Sequence, residues 1–218
     1  MSSHIIYHPK RLVTKFGGQY VYHDKTRANQ DPYVWNNRFL HTYCHMSELR
    51  SPTAGDINFW VSGDRFPEFN QLFCDLVFVV EEVSVWANRN YIAPDDTIVD
   101  SAEAYNDHYI WASHEHEYKR RKRHTLKADS KKSFQPQDPA GQLIDIAPYL
   151  GHLGFSIANL RDSLRKGRGS KPKPLEATVA KLLYDDIIRA ASTKLFGKDL
   201  QVIRRKALQL ASPHPKRQ

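Results

Sequence analysis

The chain has 218 residues, a formal net charge of +8, and 40% hydrophobic and 11% aromatic content. That suits one compact domain or two small ones and excludes wholesale disorder, collagen and solenoid repeats. The longest apolar run, Leu76–Val80, stops at Glu81 and Glu82, far short of the ~18 residues that cross a membrane.

In chain order, strands are expected at His4–Tyr7, Gln19–His23, Asp56–Ser62 and Asp75–Trp86, which are rich in β-branched and aromatic residues. Gly17-Gly18 and Gly55-Asp56 mark turns before two of them. Leu76–Val80 carries no polar residue, which predicts a strand covered on both faces. Asp100 followed by Glu103 predicts a helix start, continued by Tyr105, Tyr109 and Ala112. The charged segment Lys119–Lys132 and a loop at Phe134–Pro139 come next. Gly151–Phe155 reads as a turn.

Amphipathic helices are then predicted at Ser156–Lys166, at Pro174–Ala191 with proline in the first turn, and at Asp199–Leu210. In the second, Leu175, Val179, Leu182 and Leu183 share the expected apolar face. A flexible basic linker is expected over Lys166–Lys173. The fold class is therefore α+β: a small curved mixed sheet or partly open barrel, then a basic helical C-terminal part. Residues 1–155 form the expected β part, 156–211 the helical part packed on it, and 212–218 a disordered tail.

Charge is unevenly distributed. Residues 1–118 hold 9 Lys/Arg against 16 Asp/Glu, a net of −7. Residues 119–173 hold 14 against 4, and 174–218 hold 9 against 4, giving +10 and +5. Eight of the 11 histidines lie in the acidic half. This asymmetry points to recognition or chemistry in one half and polyanion binding in the other. The candidate phosphate contacts are Lys119, Arg120, Arg121, Lys122, Arg123, Lys131, Lys132, Arg165, Lys166, Arg168 and Lys171. A solvated basic face or a localisation signal is the alternative. Cys44 and Cys74 are too few for a disulfide framework and are expected to be reduced thiols. Met1-Ser2-Ser3-His4 lacks a basic-then-apolar leader, so a cytoplasmic location is expected.

A single base is held against a π face, so aromatics beside polar residues are the candidates for base binding. Trp60 and Phe66 flank Ser62-Gly63-Asp64, Trp111 precedes His114-Glu115-His116, and Asn58 supplies an amide. The catalytic candidates are Asp64, at the end of a strand, and the pair Asp107 and His108. Helix-surface positions are the alternative for that pair. Pro94-Asp95 with Glu117-Tyr118-Lys119 has the spacing of a Mg²⁺-dependent PD-(D/E)xK nuclease, although the surrounding segment is too polar for its usual strand. His108, His114 and His116 lack a supporting metal motif, and neither a metal nor an organic cofactor is expected.

Gly55-Asp56-Ile57-Asn58-Phe59-Trp60-Val61-Ser62-Gly63, followed by Leu72 through Val83, resembles the strand pair of the PUA, ASCH and EVE-like barrels. The arrangement also resembles nucleotide-modification-associated domains found near phage DNA-modification and defence genes. The resemblance spans roughly residues 1–118 and carries over to Gly55, Asp56 and Trp60 alone. It implies a PUA-like pocket that accepts one flipped, often modified base. The helical end from Ser156 departs from the compact barrel. Together these readings lead to an expected partner, double-stranded DNA with modified bases, and an expected reaction, base excision by a DNA glycosylase. A non-catalytic reader of modified bases, a Mg²⁺-dependent nuclease and an RNA-binding protein are the alternatives.

Overall fold

The computed structural model describes residues 3–8, 11–23, 32, 34–39, 41–42, 52–85, 124–166 and 169–211. Its centre is built by the two most apolar segments, β5 (Ile57–Gly63) and β6 (Leu72–Val85), paired antiparallel. β1 (Ser3–Tyr7) runs parallel to β5, and β11 (Lys173–Leu175) lies outside β1. On the other side β7 (His124–Ala128) pairs with β6, and β4 (His41–Thr42) with β7. β8 (Phe134–Gln137) touches β6 and carries β12 (Thr193–Phe196). The eight strands form one mixed, open sheet. β2 (Leu12–Phe16) and β3 (Gln19–His23) make a separate hairpin, as do β9 (Arg165–Lys166) and β10 (Gly169–Ser170). The described helices are α1 (Ala147–His152), α2 (Ile157–Leu164), α3 (Ala177–Ala190) and α4 (Gly197–Ala211). None of them is long and apolar enough to cross a membrane.

Alternation along the strands sends side chains to two covered faces. Ile5, Phe59, Val61, Val77 and Val79 join Leu150, Leu160, Leu164, Leu183 and Ile187 in a core between sheet and helices α1–α3. Ile6, Trp60, Leu76, Phe78 and Val80 meet Val21 of β3, Phe39 and Leu200 of α4 on the opposite face. Double coverage explains why Leu76–Val80 is apolar at every position, and each buried Val, Leu or Phe contributes roughly 1.5–3 kcal/mol. At the end of β5, Gly63 is required by space. A Cβ there would lie 2.6 Å from Phe69 Cβ and 2.8 Å from Tyr7 Oη. Gly63→Ala is expected to cost about 1–3 kcal/mol through overpacking, which urea denaturation would read.

Several expectations need correction. The expected loop at Phe134–Pro139 contains β8, whose four residues are all buried. Local pattern fails there because Gln135 and Gln137 are buried by hydrogen bonding rather than by apolarity. The basic linker is also structured, since Lys166 pairs with Gly169 in a hairpin and Lys173 with Ile5 at the sheet edge. That pairing takes Pro174 and Leu175 into a strand, so α3 starts at Ala177 instead of Pro174. Proline is tolerated there because β11 is the outermost strand. The buried face of α3 is Ala180, Leu183 and Ile187, whereas Leu182 is exposed. Strands β2, β7 and β12 and helix α1 were not anticipated. By contrast, Ser156 caps α2 by accepting the Asn159 N–H at 3.1 Å. The expected helix at Asp100, the tail from Ser212 and Cys44 lie outside the described residues. Cys74 is a buried free thiol, and burial pushes its pKa well up, which keeps it unreactive.

Candidate functional site

A β-bulge creates the most unusual chemistry in the sheet. β5 and β6 pair as Trp60↔Leu76 and then as Val61↔Cys74, leaving Asp75 unmatched. Bulges re-aim side chains. Here the extra residue turns a carboxylate inward, where Asp75 has 0% exposure. Ser62 Oγ donates to Asp75 Oδ1 at 3.0 Å, and His8 Nε2 lies 2.9 Å from Asp75 Oδ2. The latter two atoms have no other hydrogen-bond partner among the described residues. Each therefore depends on the other, because a buried carboxylate without partners is costly. The order is serine–carboxylate–imidazole, so Ser62 is not placed as a nucleophile activated by histidine.

Two further contacts hold His8, which follows directly from β1. Its backbone N–H donates to Val61 O at 2.9 Å, and its ring lies 5.9 Å from that of Trp60. Asn58 is on the same strand as Trp60 and is 1% exposed, and among the described residues its Oδ1 has no hydrogen-bond partner. Arg11, also buried, begins the chain into β2.

The hairpin β2–β3 docks beside this cluster through side-chain amides. Gln135 Nε2 donates to Tyr22 O at 2.9 Å and to Asp75 O at 3.3 Å, while Gln135 Oε1 accepts the Tyr22 N–H at 2.9 Å. Gln137 Nε2 donates to Tyr20 O at 2.8 Å, and Gln19 Nε2 donates to Gln137 Oε1 at 2.6 Å. Two glutamine side chains thus pair with β3 as a neighbouring strand would. Burial pushes the Tyr22 phenol up, and the Asp75 charge adds to that shift.

The structure separates residues that the sequence groups together. Trp60 and Asn58 are buried on or beside the hairpin-side face. Phe66 instead packs on the helix side, 4.6 Å from the Tyr7 ring. The sheet stands between Trp60 and Phe66, so they do not form one base-binding surface. Asp64 is exposed and its Oδ1 accepts the N–H groups of Asn70 and Gln71 at 2.8 and 3.3 Å. The Asn70 N–H foremost holds its pKa down. Arg161 of α2 clamps the same loop, through Phe69 O at 2.8 Å and Asn70 Oδ1 at 2.6 Å. Gly55, at φ 91°, turns the chain into β5, and Asp56 accepts the Thr53 N–H at 2.8 Å.

Of the basic residues, Lys131 and Lys132 sit in the β7–β8 turn around Asp129, which accepts the Lys131 N–H at 2.9 Å and pairs with Lys132 Nζ at 3.1 Å. Arg165 and Lys171 are exposed, and Arg165 and Lys166 form β9. Asp107, His108, Trp111, Lys119, Arg120, Arg121, Lys122, Arg123 and Arg168 lie outside the described residues, as do Asp95, Glu117, His114 and His116. Among the described residues no group of three or more His, Cys, Asp or Glu is arranged to hold a metal ion. His8, Ser62 and Asp75 were missed by sequence reasoning. The sole signal was Asp75 itself, a charge at the head of an apolar strand.

A second charged cluster joins β6 and β7. Lys127 Nζ and Arg38 Nη1 reach Glu82 at 3.0 and 3.1 Å. Lys127 first, then Ser84, lowers the Glu82 pKa by hydrogen bonding. A carboxylate with a depressed folded pKa adds stability above its unfolded value, about 4.3 for glutamate, and that contribution disappears as pH falls through the folded value. Glu82→Gln is therefore expected to flatten the fall in melting temperature below about pH 4.3, as thermal melts from pH 3 to 6 would report.

No protein-family model, no curated protein and no solved structure matches the chain.

Proposed function

We propose that this protein binds double-stranded DNA, receives an extruded modified base at the polar cluster beside Trp60, and hydrolyses its N-glycosidic bond. The observation that carries this reading is Asn58, two residues before Trp60 on β5, whose 1%-exposed side chain keeps a carbonyl oxygen without a partner among the described residues. A buried acceptor without a partner is rare in proteins, and a base amine supplies the missing donor. The His8–Asp75 pair, from the end of β1 and from β6 on either side of β5, adds proton-transfer capacity. The resemblance of Gly55–Gly63 to a PUA-like, base-accepting barrel supports the same site. Exposed Arg165 and Lys171, within a segment of net +10, support phosphate binding. Flipping brings a buried glycosidic bond within reach, and the hydrolysis proposed uses water without a cofactor.

A non-catalytic reader is the second reading. It is favoured by the engagement of the two candidate carboxylates, Asp64 by backbone N–H groups of its own loop and Asp75 by Ser62 and His8. The deciding experiment incubates the protein with plain and hypermodified phage DNA in EDTA, then measures free base by mass spectrometry and abasic sites. Excision predicts free base from modified DNA alone. Tighter binding of modified DNA without product selects the reader. Strand breaks that appear only with Mg²⁺ overturn both in favour of a nuclease.

A further inference from the structure

Resting on the proposed excision, we infer that His8 is its general base and that Asp75 is the positioning residue behind it. The argument begins with the two ring nitrogens. Nε2 faces Asp75 Oδ2 at 2.9 Å, and a carboxylate at one imidazole nitrogen keeps the proton there and leaves a lone pair on the other. Among the described residues the contacts of His8 are the Asp75 carboxylate, the Val61 carbonyl and the Trp60 ring, and neither hydrogen bond uses that other atom, Nδ1. The carboxylate is itself held by Ser62 at 3.0 Å, and the imidazole by the backbone of Val61 and the ring of Trp60. An imidazole fixed in tautomer and direction, with one free lone pair, is the arrangement required of a proton acceptor.

Asp64 is a poorer base, because the N–H groups of Asn70 and Gln71 already occupy one of its oxygens. The unpartnered Asn58 carbonyl lies on the strand that carries Trp60 and Ser62, so base recognition and proton transfer share one side of β5.

The step balances as follows. Water oxygen bonds to the sugar C1′ as the C1′–N bond breaks, and that bond's electron pair leaves on the base nitrogen. His8 Nδ1 takes the water proton, and Asp75 stabilises the imidazolium. The departing base nitrogen takes a proton from solvent, and His8 later returns its own to solvent. The products are a sugar hydroxyl and the free base.

The test is single-turnover excision from hypermodified DNA in EDTA by the full chain. His8→Ala is expected to lower the rate about 10²–10⁴-fold, to bind DNA within a few-fold of the wild type, and to regain rate when imidazole is added. His8→Gln retains a donor for Asp75 without a basic nitrogen, so it keeps the fold and is expected to be equally slow. Asp75→Asn is expected to slow the rate without weakening DNA binding. Excision by His8→Gln at the wild-type rate overturns this inference alone. Loss of rate in His8→Ala without imidazole rescue, accompanied by a lowered unfolding midpoint, likewise assigns His8 a structural role. Absence of released base from the wild-type chain overturns the excision reading and this inference together.

Discussion

Asp75→Ala is expected to lower stability by about 2–6 kcal/mol, because it leaves two buried hydrogen-bonding groups without a partner at about 1–3 kcal/mol each. The side chain has 0% exposure, and the truncation strips His8 Nε2 and Ser62 Oγ of their partner at once. Water has poor access to replace it, because Ser62 is 1% and His8 7% exposed. Asp75→Asn keeps the shape and one acceptor for Ser62, so its loss is expected to be smaller. Urea unfolding at neutral pH, with equal m-values confirming a common unfolded state, separates the two variants. A loss below about 1 kcal/mol for the alanine variant would mean that the pair contributes no more than an exposed one. It would also remove the rigidity on which the role of His8 rests.

Gln135→Leu is the second large effect, and its signature is local as well as global. The native amide satisfies the N–H and C=O of Tyr22 and contacts the Asp75 carbonyl. Leucine fills much of the same volume but bonds none of them. Each buried group left without a partner costs about 1–3 kcal/mol, so a total near 3 kcal/mol is expected. Hydrogen exchange at the Tyr22 amide is expected to accelerate more than exchange in β5 or β6, because the hairpin loosens before the sheet does. Uniform acceleration across the sheet would show instead that hairpin and sheet open as one unit. Gln135→Glu sharpens the comparison. It still accepts the Tyr22 N–H, yet it sets an oxygen against the carbonyls of Tyr22 and Asp75, so it is expected to be no better than leucine.

The contrast between β5 and β8 shows how far local pattern reaches. Ile57-Asn58-Phe59-Trp60-Val61 reads as a strand from composition alone, and it is one. Phe134-Gln135-Pro136-Gln137 carries two amides and a proline, which ordinarily mark a loop, yet it is a buried strand. Its burial depends on Tyr20 and Tyr22, more than a hundred positions away. The three helices from Ser156 onward were legible because an apolar stripe recurs every three to four residues. Where one of them starts was not, since Pro174 and Leu175 are drawn into β11 by pairing with β1.

The same division runs through the candidate site. The amino-acid sequence alone determined the apolar central strands, the C-terminal helices and the charge asymmetry, and it singled out Asn58 and Trp60, because composition and periodicity are local properties. Only the tertiary structure decided that Trp60 and Phe66 lie on opposite sides of the sheet, and that Asp64 serves its own loop. It also decided that His8, Ser62 and Asp75 meet. Their meeting depends on a single unmatched residue in the β5–β6 register. A bulge reverses which way the following side chains face while leaving no periodic trace in the chain.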